Sequence, residues 1–312
     1  MEENIIVNRS YFLKSFVRLF FTFFLFANIA LFANSQPSNN FSTQLELLKN
    51  INLFCQKNIK MNIGDAFYSN WSEDNEMYVY LYASDSNKIK SIYGGSEYES
   101  FGNRSNEAEK KKLQLDSLGF HTLLYKTYGN SATRITKGLL SYPFESISFI
   151  AFHEATHLHF KNNVNIPYSI EEAACDILGI YGTLELFEGN KKYSIRKAKK
   201  QVKLIENIIQ SINTYSTYAE VAKTKELKII YKNCQMELSD FLKNADQFKI
   251  DRYDYPVNNA YFLRYQSYCE NYFKLKLLYL YFEDIIEFLD FIITLPNDKE
   301  LAIEIIETKI KK

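Results

Sequence analysis

The stretch FIAFHEATHLHF, residues 149–160, holds three of the chain's four histidines. His153 and His157 bracket Glu154 as His-Glu-x-x-His. On a helix, positions i and i+4 point the same way one turn apart, so two imidazoles there can take two corners of a metal tetrahedron. Glu154 cannot easily bind the same ion, but it can reach a water held on it. Zinc lowers the pKa of such a water from ~15.7 to ~7, so a carboxylate can take its proton at neutral pH. The spacing points to one Zn2+ ion and to hydrolysis, with a structural histidine pair as the competing reading. His159 projects to a different side of the same helix and is an outer partner or incidental. Nothing in the sequence draws His121 to the ion.

A catalytic zinc site needs a third protein ligand and an open fourth position. The segment PYSIEEAACDILG, residues 167–179, offers one. Ser169 reads as the cap of a new helix, and the loop with Pro167 gives the chain room to reverse. Glu172 then faces back as the third ligand. Asp176 lies one turn further on the same face, placed to accept the other ring N–H of a ligating histidine and fix its tautomer. The same four residues from Ser169 to Glu172 also form a capping-box pattern, which would occupy Glu172 with backbone N–H groups and leave Glu171 as ligand. The aspartate at i+4 favours Glu172.

These residues need elements to carry them. Residues 42–58 show near-helical apolar spacing through Leu45, Leu48, Phe54 and Cys55. Residues 77–83, MYVYLYA, alternate strictly and predict a strand, with Met77, Val79 and Leu81 on one face and three tyrosines on the other. KIKSIY, residues 88–93, reads as a second strand. A charged helix over 105–117, ended by Gly119, and a strand over 120–126 follow. From Pro143, suited to the first turn of a helix running to Asn162, the pattern is helical almost to the end. Periodic stretches cover 193–247, 257–294 and 297–311. The basic cluster between Lys191 and Lys203 reads as a solvated helix face, and the aromatic stripe 272–282 as core or interface packing.

With 37 basic and 37 acidic side chains the chain has no net field to attract nucleic acid. Lys14 and Arg18 precede a short apolar run, Leu19–Phe32, followed by Ala33 and Ser35 as small residues of a cleavage site. This reads as a secretory signal peptide over 1–35, with an uncleaved signal anchor as the alternative. The body of the protein is thus expected to be exported. Four cysteines, Cys55, Cys175, Cys234 and Cys269, permit disulfides in that setting, but the pairing is not readable, and Cys175 reads as a free core residue.

The order His-Glu-x-x-His followed by Glu-x-x-x-Asp on the next helix resembles the gluzincin metallopeptidases. The 14-residue gap between His157 and Glu172 resembles more closely a group of bacterial aminopeptidases of the HExxH zinc class. QLELLKNI at 44–51, the run from Gly119 to His157, and YSIEEAACDILG at 168–179 match that family's opening helix, its passage into the zinc helix and its second ligand helix. Counting back from Gly179 places the family's ligand glutamate on Glu172. VNNAYFLRYQSY at 257–268 resembles its Asn-Asn-Ala segment, with Tyr268 ten residues after Asn258. Glu171 stands where the family has asparagine. The resemblance implies an oxyanion-stabilising role for Tyr268, with Asn258 and Asn259 as possible substrate contacts.

The expectation is therefore an α+β chain. A small N-terminal sheet with helices (36–130) precedes the zinc-site helices (131–190) and a helical C-terminal part (191–312), with a gluzincin-like arrangement overall. Its expected activity is that of an exported zinc metallopeptidase, by the resemblance an aminopeptidase, acting on peptide or protein substrate, without nucleic acid and without stable membrane insertion once the signal is cut. His153, His157 and Glu172 would hold the ion, Glu154 would be the general base, and Asp176 would support a ligand. Aminopeptidase action needs a carboxylate for the substrate amine, for which Glu171 is a candidate. The rival expectation is a non-catalytic exported scaffold with a structural zinc site.

Overall fold

The computed structural model describes residues 41–61, 63, 71–72, 77–94, 96–128, 135–161, 166–243, 246–248 and 253–311. The expected signal segment, 1–35, lies outside them. Within the compact unit Asn39–Lys312 the fold is α+β, mostly helical with a small sheet. Helix α1 (Ser42–Lys57) is followed by β1 (Trp71–Ser72), β2 (Tyr78–Ser84), β3 (Tyr98–Gly102), α2 (Ser105–Ser117), β4 (His121–Thr127) and β5 (Ile135–Thr136). Three strands form an antiparallel sheet in the order β3-β2-β4, while β1 and β5 make a short parallel pair. Alternation along β2 sorts the two faces of this sheet. Val79, Leu81 and Ala83 pack with Phe101, Leu124 and, from α2, Ala108 and Leu115. Tyr82, with Leu123 and Tyr125 of β4, faces the other way, against Ala260.

KIKSIY does not form the second strand. Ser84 and Ser91 make an isolated bridge, and the chain doubles back at once through Asp85 N–H to Lys90 O and Ile92 N–H to Ala83 O. The partner of β2 on that edge is β3, one turn later. A short alternating run cannot distinguish the arm of a tight turn from a ladder strand, because both expose every second side chain.

After a single turn, α3 (Lys137–Leu140), two helices dominate the core: α4 (Phe144–Lys161) and α5 (Tyr168–Glu188). Their apposition is written in two glycines. A Cβ at Gly179 would stand 2.8 Å from Cε2 of Phe149 and 3.0 Å from its carbonyl oxygen. One at Gly182 would stand 2.8 Å from Cδ1 of Phe152. Without those methyl groups α5 nests against the aromatic face of α4, and Phe152 is fully buried. Thr183 Oγ1 donates to Gly179 O at 2.7 Å, and Thr183 and Ser148 hydroxyls meet at 3.1 Å across the same contact. Burial of a phenylalanine such as Phe152 contributes roughly 1.5–3 kcal/mol.

Helix α5 starts earlier than expected. Pro167 occupies the cap position without a side-chain bond, and Ser169 lies inside the first turn. Its hydroxyl instead accepts from Asn271 Nδ2 at 3.1 Å. No capping box forms, which frees Glu172. The long periodic stretches are also divided. Residues 193–247 contain α6 (Ile195–Val221) and α7 (Thr224–Lys243), and 257–294 contain α8 (Asn259–Cys269), α9 (Tyr272–Phe282) and α10 (Ile285–Ile293), before α11 (Lys299–Ile310). The basic positions Lys197, Lys199, Lys200 and Lys203 are exposed, while Tyr272, Leu275, Leu278 and Tyr279 of the aromatic stripe are buried. All four cysteines are free and buried. Among the described residues no helix is long and apolar enough to cross a membrane.

Candidate metal centre

The helix period and the glycine contact together bring two imidazoles and a carboxylate to one point, with a further carboxylate behind each ring. His153 and His157 stack along α4 with ring centres 4.9 Å apart and their Nε2 atoms 3.2 Å apart. From α5, two turns before Gly179, the Glu172 carboxylate faces both: Oε2 is 3.5 Å from Nε2 of His153 and Oε1 is 3.6 Å from Nε2 of His157. Each ring is held from behind. Nδ1 of His153 lies 3.0 Å from Asp176 Oδ1, and Nδ1 of His157 lies 2.8 Å from Glu171 Oε1. A carboxylate only accepts, so each Nδ1–H donates to its carboxylate, and a neutral ring then turns its lone pair at Nε2 inward.

Two inward lone pairs and a carboxylate facing one point repel one another unless a cation lies between them. Oε2 of Glu172, a residue 3 % exposed, is buried with no hydrogen-bond partner among the described residues. A tetrahedral ion with bonds of about 2.0–2.1 Å has donor-to-donor edges of about 3.3–3.4 Å, and the three edges here bracket that figure. The residues present therefore fit a metal. His153, His157 and Cys175 also bring one donor atom each within 4.8 Å of one another, a buried group able to hold a metal ion. Burial pushes the Cys175 thiol well up from its ordinary value. To join the histidines as a ligand the thiol would have to give up its proton to the ion, whereas the Glu172 carboxylate already faces both rings as an anion.

The electrostatics of the pair follow from the same contacts. Burial opposes charge on His153, but the Asp176 and Glu172 carboxylates outweigh it and raise its pKa. His157 is raised further against the same burial cost, with Cys175, Glu172 and Glu171 beside it. Burial alone would raise the Glu172 carboxyl; the facing imidazoles hold it well below the usual range instead. Glu154 keeps no such direct partner, and burial raises its carboxyl above the ordinary value although His153 and His157 act to lower it. A carboxylate so placed is a stronger base than one in water.

Tyr268 of α8 stacks flat on His153, with centroids 6.2 Å apart and planes 11° apart. Burial raises its phenol well above the usual value, so the O–H stays protonated and able to donate. Asn258 and Asn259 stand elsewhere. Asn258 caps α8 by accepting from Tyr261 N–H at 3.0 Å and donates to Thr122 O at 3.1 Å. Asn259, fully buried, accepts from Tyr231 Oη at 2.6 Å and donates to Asp85 O at 2.9 Å. These amides tie α8 to the sheet. His121 is part of that tie, with Nδ1 accepting from Asn259 N–H at 3.4 Å.

Glu171, expected at the substrate amine, is occupied with His157, a role the sequence reading gave only to Asp176 for one ring. The signal was present: Glu171 is 14 residues from His157, one position before a glutamate already turned to the same helix. Arg264 was missed outright, although a lone arginine within the aromatic run AYFLRYQSY is a visible irregularity. Comparison with protein-family models, with curated proteins and with solved structures gives no match.

Proposed function

We propose that this protein is a zinc-dependent metallopeptidase in which His153, His157 and Glu172 hold the ion. The carrying observation is the buried Glu172 carboxylate turned onto two Nε2 atoms, each backed by a carboxylate at Nδ1. Carboxylate backing of this kind is the usual support of a ligating histidine. A zinc ion there supplies Lewis-acid activation of water and of a peptide carbonyl. Glu154 takes the proton of the attacking water and later delivers it to the leaving amine, a task helped by the raised carboxyl pKa. Tyr268 donates its hydroxyl hydrogen to the oxyanion that develops on the carbonyl. Asp176 and Glu171 hold the two rings in the tautomer that leaves Nε2 free.

The sequence resemblance to the HExxH aminopeptidases and the gluzincin order of motifs support the same reading, as does the export signal read from residues 1–35. With Glu171 engaged at His157, selection for a free substrate amine lacks a carboxylate in this reading. Metallopeptidase is therefore the level at which the proposal stands. A second reading, a non-catalytic zinc scaffold, draws on Cys175 beside the histidines as a fourth protein ligand that would close the coordination shell.

Glu154→Gln separates the two. Zinc content of the purified variant should equal that of the parent, while peptide-library cleavage should fall to background. A zinc-loaded Glu154→Gln protein cleaving at the parent's rate would refute the mechanism. A zinc-loaded parent that cleaves nothing would favour the scaffold.

A further inference from the structure

Four residues before Tyr268, Arg264 enters the same region at 6 % exposure. Its guanidinium carbon stands 4.1 Å from the Tyr268 ring centre and 4.4 Å from that of Tyr125, with Tyr265 at 5.3 Å and Tyr82 at 5.5 Å. Ring faces attract the cation but leave its N–H groups without true acceptors. Nε and Nη1 are buried with no hydrogen-bond partner among the described residues, which leaves most of the N–H groups of this side chain unanswered there. Glu97 feels the field of Arg264, yet burial still pushes its carboxyl up to about 7. No carboxylate among the described residues forms an ion pair with Arg264.

An orphaned buried guanidinium is costly and calls for an explanation in the form of a ligand. Its position supplies one. The Tyr268 ring lies in parallel stack on His153 and carries Arg264 close to it, so the cation sits one ring beyond the candidate metal centre. At about 3.4 Å per residue of extended peptide, that separation is bridged by roughly two to three residues. The acidic groups of the centre, Glu154 and Glu172, disfavour a multiply charged anion such as a phosphate, and a planar fork matches a carboxylate. Tyrosine hydroxyls that stay protonated, Tyr82 and Tyr268 among them, add donors of the same sign.

We propose that Arg264 receives a carboxylate of the substrate, either an acidic side chain or the chain terminus, within about three residues of the scissile bond. This rests on the peptidase reading for its geometry, though not for its test. Binding is read by calorimetry on the zinc-supplied full chain carrying Glu154→Gln, so turnover plays no part. The probes are acetyl-Ala-Ala-Ala with a free carboxylate, the same peptide as its amide, and acetyl-Ala-Glu-Ala amide.

At least one carboxylate-bearing probe should bind about tenfold or more tighter than the neutral amide, and which one does identifies the source. Arg264→Met should reduce that ratio to near one without weakening the neutral peptide. Arg264→Lys, which keeps the charge and loses the fork, should reduce it to a few-fold and decides the matter if the methionine variant fails to fold. Equal affinity for all three probes, no binding by any, or an undiminished ratio in the variants overturns the proposal. Absence of cleavage by the zinc-loaded parent would instead strike the peptidase reading and leave this ratio intact.

Discussion

In the proposed metal centre Glu172 and Cys175 compete for one coordination position, and their removal has opposite expected consequences. A ligand that binds only the folded protein stabilises it by about 2.7 kcal/mol at a hundred times its dissociation constant. At about 2.1 cal/mol/K per residue, the unit Asn39–Lys312 unfolds with an entropy near 0.6 kcal/mol/K, so zinc at that level should raise the melting midpoint by about 5 °C. Loss of a partner behind a ligand already costs metal sites roughly 10–100-fold in affinity, and loss of a ligand costs at least the upper figure. At the same zinc concentration Glu172→Gln then gains only about 0.4 kcal/mol, a shift under about 1 °C. Cys175→Ala removes a buried neutral thiol and should lose stability with and without metal alike, leaving the zinc-dependent shift near 5 °C. Scanning fluorimetry of each variant with chelator and with buffered zinc gives the shift against its own metal-free form, so unrelated changes in stability cancel. A full shift in Glu172→Gln together with a lost shift in Cys175→Ala would refute the carboxylate assignment and transfer the corner to sulfur.

Two further outcomes probe the scaffold of the site. Gly179→Ala forces a methyl group to within 3.0 Å of a backbone oxygen that cannot rotate away; overpacking of ~1–3 kcal/mol should outweigh the ~1 kcal/mol that alanine gains in helix propensity, and a variant that melts above the parent would contradict the close helix contact. Glu97, whose carboxyl burial raises to about 7, resists ionisation in the fold, so its contribution to stability is present below the ordinary carboxylate pKa and declines as pH rises to about 7. Glu97→Gln should therefore melt progressively higher relative to the parent from pH 4 to pH 7 and hold that margin above, and a margin independent of pH would exclude the raised carboxyl.

The geometry of the candidate centre was largely legible because it follows from the helix period. His153 and His157 share a face by spacing alone, and Glu172 with Asp176 meets that face once the chain reverses. Strands β2 and β4 were legible from their sequence pattern, but β3 was not, its place having been given to residues 88–93. What escaped the sequence depended on tertiary contact. The break between α6 and α7 falls at Ala222 and Lys223, with neither glycine nor proline to mark it. Amphipathic spacing runs through it uninterrupted. Ser169 and Glu172 match a capping pattern, yet the helix begins at Tyr168, with Pro167 in the cap position, and turns the serine toward Asn271. Asn258 and Asn259 sat in a segment singled out by resemblance, but their amides answer backbone groups 136 and 174 positions away, and no local pattern announces such partners.

Both imidazoles, the facing carboxylate and the two acids behind the rings all belong to one helical hairpin, α4 and α5, whereas Tyr268 and Arg264 arrive on α8. A chain emerging from its N-terminus would hold all the proposed metal-site groups, up to Asp176, 88 positions before Arg264, the first of the proposed substrate contacts on α8. On the proposed reading, the ion-binding groups and the substrate-binding groups would therefore be completed at separate times during synthesis.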